Sequence, residues 1–352
     1  MNQVIYVTGH RHPDTDSVAA AIAYSSLKKH QGLNCIPCRL GELNDETKYL
    51  LDRFGFEQPY HLKDARVTLS EIQLSEPVMV QRDTTIYETV QLMESKHIPM
   101  IAVVDEQEHF LGIVTYQDIS MVGMGDTSFG IDLLKQTTVE AIAKTLNGKI
   151  VYASPQTHLN GKVSIVAMTK HGLDNYEVKD RIVMLGDDTQ AQVDAIEKGA
   201  GLLIVVWAQT IDEKVLALAK EKQCSIVISG HGAMNTSRYL YFAPPIHLLM
   251  NEKVISFHEW EVAEDVLKKM LKTRFRTYPV LDQEEKYVGY VMRYDILNSK
   301  NKSIVMVDHN EFSQSVRAIE KAELLEVIDH HRISDFSTQL PVSFRNEIVG
   351  ST

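Results

Sequence analysis

Val4-Ile5-Tyr6-Val7-Thr8-Gly9-His10-Arg11-His12-Pro13-Asp14-Thr15-Asp16-Ser17 is the stretch on which the reading of this chain turns. The β-branched and aromatic run before Gly9 has the composition of a short buried strand. The loop after Gly9 carries His10, Asp14 and Asp16. Ser17 or Asp16 can cap the alanine-rich helix expected over 17–30, with Ala19, Ala20, Ile22, Ala23 and Leu27 as its packing face. In an open α/β sheet, ligands bind outside the carboxyl ends of the strands. One imidazole and two carboxylates in so short a loop suit a hard or borderline divalent ion, or part of a pair.

Matching strand ends lie at the far end of the chain. Ser303-Ile304-Val305-Met306-Val307-Asp308-His309-Asn310 is a second apolar run ending in an acid, and Leu324-Leu325-Glu326-Val327-Ile328-Asp329-His330-His331 is a third. Parallel strands of one sheet would bring these ends to one edge. A pair of ions roughly 3.5–4 Å apart needs carboxylates and imidazoles in that arrangement. A lone His-His is more often a surface or core pair, and a lone Asp-x-Asp a turn. Three strand ends of the same chemistry are not explained as turns, and a metal site is expected.

Gly-His-x-x-x-Asp-x-Asp-Ser, Val-Asp-His-Asn-Glu and Ile-Asp-His-His-Arg-Ile together resemble the DHH phosphoesterase superfamily and, within it, the manganese-dependent (family II) inorganic pyrophosphatases. The resemblance covers about residues 1–65 and 300–352. It implies that His10 and Asp14 bind a first metal, Asp16 and His330 a second, and that Asp308 bridges them. It further implies that His331 meets the substrate and that Asp329 orients a histidine ligand. Mn²⁺ or Co²⁺ would be the cofactor, Mg²⁺ would accompany the substrate, and the reaction would be hydrolysis of pyrophosphate to two phosphates.

Composition narrows the partners. The 352 residues carry a net charge of −11 with no basic block, which argues against nucleic acid as the main partner. No run of 18 apolar residues indicates a membrane span. The chain enters a strand without a basic leader, and its three cysteines fit a reducing compartment, so a cytoplasmic protein is expected. Cys35-Ile36-Pro37-Cys38 has redox spacing but lies in an expected strand, away from any helix N-terminus, and a redox role is not expected. A second helix is expected over 45–54, capped by Asn44 and closed by Gly55.

Residues 111–119 align with 288–296 at a displacement of 177, and the alignment runs ungapped for about forty residues, pairing Asp105 with Asp282 and Met93 with Met270. Each copy reads as a helix (85–96; 262–273), strand, turn, strand and helix. The ending Gly-hydrophobic-hydrophobic-Thr-x-x-Asp resembles a CBS motif, and CBS pairs bind adenosine nucleotides. The resemblance implies nucleotide contacts (AMP, ADP or ATP) from Thr115 and Asp118. In the second copy Met292 replaces the threonine; Asp295 remains, and Arg276 and Tyr278 could supply phosphate charge and base stacking. The resemblance also implies a homodimer through the CBS domains.

Between the copies, strands expected over 163–167, 181–185, 201–206 and 224–228 alternate with helices over 189–198 and 212–222, a βαβα series that predicts a parallel sheet. Leu185-Gly186-Asp187-Asp188-Thr189 through Gly201 resembles a DRTGG domain in pattern, and Gly230-His231-Gly232 reads as a plain turn. The expected fold is α/β: a parallel-sheet DHH domain (1–66 and 300–352) interrupted by a tandem CBS pair (67–125 and 246–299) that itself carries an α/β DRTGG-like insert (126–245). The family's further bridging aspartate and its substrate-clamping domain cannot be assigned before Thr352, so little turnover is expected of residues 1–352 alone. The alternatives are another DHH-family phosphodiesterase and a non-catalytic adenine-nucleotide sensor.

Overall fold

The computed structural model describes residues 4–124, 127–167, 173–334, 337–338 and 340–352. The chain opens with β1 (Ile5–Thr8), α1 (Thr15–His30), β2 (Cys35–Arg39), α2 (Asp45–Phe54) and β3 (Tyr60–His61). The first repeat copy follows as β4 (Met79–Gln81), α3 (Ile86–Lys96), β5 (Met100–Val104), β6 (Phe110–Thr115) and α4 (Tyr116–Met124). The insert holds α5 (Thr127–Lys135), α6 (Val139–Thr145), β7 (Lys149–Tyr152), β8 (Val163–Ile165), β9 (Ile182–Leu185), α7 (Thr189–Glu197), β10 (Leu202–Val205), α8 (Glu213–Lys222), β11 (Ser225–Ile228) and α9 (Ala233–Leu240). The second copy is β12 (Phe257–His258), α10 (Ala263–Met270), β13 (Thr277–Leu281), β14 (Tyr287–Met292) and α11 (Arg293–Leu297), and the chain ends with β15 (Ser303–Val307), β16 (Glu323–Asp329) and β17 (Ser343–Asn346).

Two compact units result. The first comprises Met1–Ser75, Phe257–Val280 and Tyr290–Thr352; the second comprises Glu76–Ser256 and Leu281–Gly289. The expected boundary at 125–126 falls outside the described residues.

In the first unit, six strands form one sheet in the order β17-β16-β15-β1-β2-β3, every pair parallel. A parallel strand covered on both faces reads as an unbroken apolar run, and all five residues of β15 are buried. One face packs Val7, Ala21, Cys35, Val305 and Val307; the other packs Cys38, Leu62, Ile304, Met306 and Val327. Cys35 and Cys38 therefore sit on opposite faces, and burial pushes the Cys38 thiol up to about 12.

Helix α1 departs from expectation in two ways. Asp14 is its N-cap, accepting from the Ser17 amide at 2.9 Å, so the helix starts at Thr15. Its buried stripe is Ser17, Val18, Ala21 and Ser25, whereas Ala19, Ala23 and Leu27 are exposed. Small residues all round leave little hydrophobic asymmetry, and close approach to the sheet selects the smallest side chains. Helix α2 is as expected: Asn44 Oδ1 accepts from Thr47 N at 2.7 Å, and Gly55 closes it at φ +70°.

In the second unit, β4-β5-β6 form a three-stranded sheet and β7-β11-β10-β9-β8 a five-stranded one. Strands β8 to β11 are parallel neighbours, and β7 adds an antiparallel edge. β9, β10 and β11 are buried throughout. The repeat is exact in register: the bounds 100–104 and 110–115 of β5 and β6 recur 177 residues later as 277–281 and 287–292.

Candidate metal centre

Sheet register decides which loops meet. β1 pairs with β15 so that Thr8 lies opposite Met306, and two residues further the same register brings His10 level with Asp308. β15 pairs with β16 so that Val307 lies opposite Ile328, and the Asp308 amide donates to the Ile328 carbonyl at 2.9 Å. Ligand types that lie nearly three hundred residues apart in sequence thus meet at one sheet edge.

Asp308 stands at the middle, 1% exposed. Its Oδ2 lies 3.5 Å from His10 Nε2, and its Oδ1 lies 3.1 Å from His330 Nε2. Asp14 Oδ1 is 3.7 Å from His10 Nε2, and Asp16 Oδ2 is 3.7 Å from His330 Nε2. One buried carboxylate therefore faces a His/Asp pair on each side. His331 Nδ1 is 3.9 Å from Asp308 Oδ1. The ligand atoms of His10, Asp14 and Asp308 fall within 4.8 Å of one another, as do those of Asp308, His330 and His331.

The backbone is shaped for this. Gly9 admits no side chain, because a Cβ there would stand 1.8 Å from Ser17 Oγ, the atom that accepts the His10 amide at 2.9 Å. Asp308 adopts φ +62°, a left-handed conformation uncommon outside glycine, asparagine and aspartate. The His330 ring is turned by its Nδ1, which donates to the Val349 carbonyl at 3.0 Å and so aims Nε2 at Asp308 and Asp16. Thr352 reaches the same place, its hydroxyl donating to Asp308 Oδ1 at 2.9 Å and its amide to Asp16 Oδ2 at 3.0 Å.

The electrostatics fit a cation. Burial, with the nearby Asp16 charge adding to it, raises the Asp308 carboxyl above the ordinary carboxylate range. The Val349 hydrogen bond, reinforced by Asp308 and Asp16, raises His330. Among the described residues no lysine or arginine pairs with Asp14, Asp16 or Asp308. A mixed imidazole and carboxylate set suits Mn²⁺ or Co²⁺.

Asp329 lies behind this set and is buried. Its Oδ1 accepts from His330 N (2.8 Å), His331 N (3.1 Å) and His331 Nδ1 (2.8 Å), and its Oδ2 accepts from Asn310. Burial alone would raise its carboxyl; the donated hydrogen bonds outweigh that and hold it below the usual range. The His331 side chain is 54% exposed. His309 turns away: its Nδ1 donates to the Val307 carbonyl, Nε2 accepts from Ser315, and burial pushes it down to about 4. Asn310, Ser17 and Gly9 are the contributors that motif reading leaves without roles.

The residues expected to bind nucleotide fare unevenly. In the second unit, Thr115 Oγ1 donates to Asp118 Oδ2 at 2.6 Å and caps α4. In the first unit, Asp295 Oδ2 accepts from Met292 N at 2.7 Å, and Arg276 is exposed. Tyr278 needs correction as a stacking ring. It is 1% exposed, packed against Phe257, with its hydroxyl bonded to Thr273 and the Phe275 carbonyl. Its place in β13 points it into the core.

A model of the DHH family, N-terminal domain, matches residues 4–352, and the chain belongs to that family. The cobalt-dependent inorganic pyrophosphatase of Clostridium perfringens is 33% identical over 355 residues, covering 100% of this chain and 65% of its own length. A probable manganese-dependent inorganic pyrophosphatase of Thermotoga maritima is 34% identical over 353 residues, covering 99% of this chain and 64% of its own. The chain thus spans just under two thirds of the length of these relatives. Among solved structures, the CBS and DRTGG domains of the Clostridium perfringens pyrophosphatase regulatory region, complexed with the activator diadenosine tetraphosphate, align with a TM-score of 0.60 at 23% identity. That alignment covers 65% of this chain and 100% of that one. The family match and this likeness establish the fold: an α/β DHH domain and a region folded like those CBS and DRTGG domains. No helix of the described residues is long and apolar enough to cross a membrane.

Proposed function

We propose that this chain carries the hydrolytic centre of a metal-dependent inorganic pyrophosphatase regulated by adenine nucleotides. The observation that carries the reading is Asp308, a buried carboxylate turned toward His10 and Asp14 on one side and His330 and Asp16 on the other. These five residues would hold two Mn²⁺ or Co²⁺ ions, with Asp308 shared. When bound, such a pair supplies Lewis acidity and makes water a nucleophile near neutral pH. Asp329 accepts the Nδ1–H hydrogen bond of His331, which leaves Nε2 free to meet a phosphate oxygen. The cluster is acidic, so pyrophosphate would arrive with Mg²⁺. The names of the two long relatives support this substrate and these metals.

Thr115 and Asp118 in the first copy, and Arg276 and Asp295 in the second, are the candidate nucleotide contacts. AMP, ADP, ATP and diadenosine tetraphosphate are the ligands to try, the last because it is the activator in the Clostridium complex. Exposed apolar side chains on α4 (Tyr116, Met121) and α11 (Tyr294, Leu297) suit a homodimer formed through the CBS copies, and three free cysteines suit a reducing, cytoplasmic compartment. The test uses the full-length polypeptide with Mn²⁺, Co²⁺ or Mg²⁺, with and without AMP, and reads phosphate released from pyrophosphate and mononucleotide released from a dinucleotide. Turnover of pyrophosphate that AMP alters supports the reading. Turnover of the dinucleotide alone, or AMP binding without any turnover, contradicts it.

A further inference from the structure

We propose that Asn310 is a positioning residue for His331, acting through Asp329. Its kinetic consequence rests on the pyrophosphatase reading; its structural consequence does not.

Asn310 is 2% exposed, and its amide group is fully committed. Nδ2 donates to Asp329 Oδ2 and to the Arg332 carbonyl (3.0 Å), while Oδ1 accepts from Ser334 N (2.8 Å). Two donors and one acceptor thus tie the loop after β15 to the loop after β16. The carboxylate of Asp329 is held at both ends, Oδ2 by Asn310 and Oδ1 by His330 N, His331 N and His331 Nδ1. Such a group cannot swivel about its Cβ–Cγ bond without leaving buried polar atoms unpaired.

His331 depends on that grip. Its ring is half-exposed, and Nδ1 to Asp329 is the hydrogen bond that sets its heading. The proposed metal ligands have anchors of their own: the His330 ring is turned by the Val349 carbonyl although its amide shares Asp329 Oδ1, Asp14 is held by the α1 amide at Ser17, and Asp308 by its backbone bond to Ile328. Loss of the Asn310 donors should therefore misdirect His331 and spare the metal set. The donors matter here, and the shape does not. Asn310→Asp keeps the shape and an acceptor for Ser334, loses the Nδ2 donors, and sets a carboxylate against Asp329.

Asn310→Ala and Asn310→Asp separate these effects. The first readout is the His331 Nδ1 proton in ¹H–¹⁵N spectra of the metal-free chain. Wild type should show a downfield, slowly exchanging signal that both variants lose. The second is calorimetric Mn²⁺ affinity, which should stay within about threefold. The third is pyrophosphate hydrolysis by the full-length protein, where kcat should fall about tenfold to a hundredfold with KM little changed. An unchanged Nδ1 signal in both variants, an Asn310→Asp protein that behaves as wild type, or Mn²⁺ affinity falling in step with kcat would each overturn the proposal. If the wild-type protein does not hydrolyse pyrophosphate, the pyrophosphatase reading fails, and the Nδ1 signal still decides the role of Asn310.

Discussion

The protein contains one parallel sheet and one mostly parallel sheet whose carboxyl ends run into loops bearing acids and histidines, and they are put to different uses. In the six-stranded sheet, the loops after β1, β15 and β16 converge on buried Asp308. In the five-stranded sheet, β9 runs into Gly186-Asp187-Asp188 and β11 into Gly230-His231-Gly232. There Asp188 is exposed and caps α7 by accepting Ala191 N at 2.7 Å, Asp187 is exposed, and the His231 ring packs edge-on to Tyr239. The same architecture and similar residue types give a gathered ligand set in one case and ordinary caps and core contacts in the other. A strand end becomes a candidate centre when it buries a charge that the surrounding side chains do not neutralise; the fold alone does not decide it.

The contrast can be broken most sharply at Asp308. Asp308→Ala should weaken Mn²⁺ binding at least about a hundredfold, because the carboxylate facing both histidines is gone. Asp188→Ala in the other sheet should leave Mn²⁺ affinity within about twofold and cost only a helix cap, about 1 kcal/mol in denaturant unfolding. Equal effects of the two substitutions on Mn²⁺ affinity would erase the distinction.

A smaller effect is expected one step back from the ligands. Gly9→Ala must displace Ser17 Oγ, from which the His10 amide and the start of α1 take their placement. A loss of about 1–3 kcal/mol of stability, with weakened Mn²⁺ binding, is the expected result by thermal melting and calorimetry.

The smallest effect concerns how the first sheet is held together away from its edge. Glu326 on β16 accepts from Lys28 on α1 at 2.6 Å and from Tyr24. Burial raises its carboxyl, but these partners outweigh burial and bring it below its ordinary value. A carboxyl lowered on folding contributes stability above its unfolded pKa and loses it as pH falls through the folded one. Wild type should therefore lose up to about 1 kcal/mol more than Glu326→Gln between pH 7 and the acid side of pH 4, measured by denaturant melts. A parallel loss in both proteins would remove this pair from the account.

Much of this was legible in the sequence because it rests on short, local rules. The runs ending in His10, Asp308 and Asp329 could be read as strands from composition, and the 177-residue displacement survives in the strand bounds themselves. The caps of α2 follow from Asn44 and Gly55. Three-dimensional choices were not legible. Helix α1 is too uniformly small for periodicity to reveal its buried face, and β7 joins its sheet as an antiparallel edge that a βαβα pattern does not announce. Tyr278 looks like a polar aromatic available for a ligand, yet its alternation within β13 sends it to the core. The work done by Asn310 depends on the separation of two loops and has no motif of its own.

The most direct measurement is the electron paramagnetic resonance spectrum of the protein loaded with two equivalents of Mn²⁺. Two ions sharing Asp308 should give an exchange-coupled spectrum that Asp308→Ala abolishes. The six-line signal of isolated Mn²⁺ in the wild-type protein, or no bound Mn²⁺ at all, would contradict the two-metal centre on which the account rests.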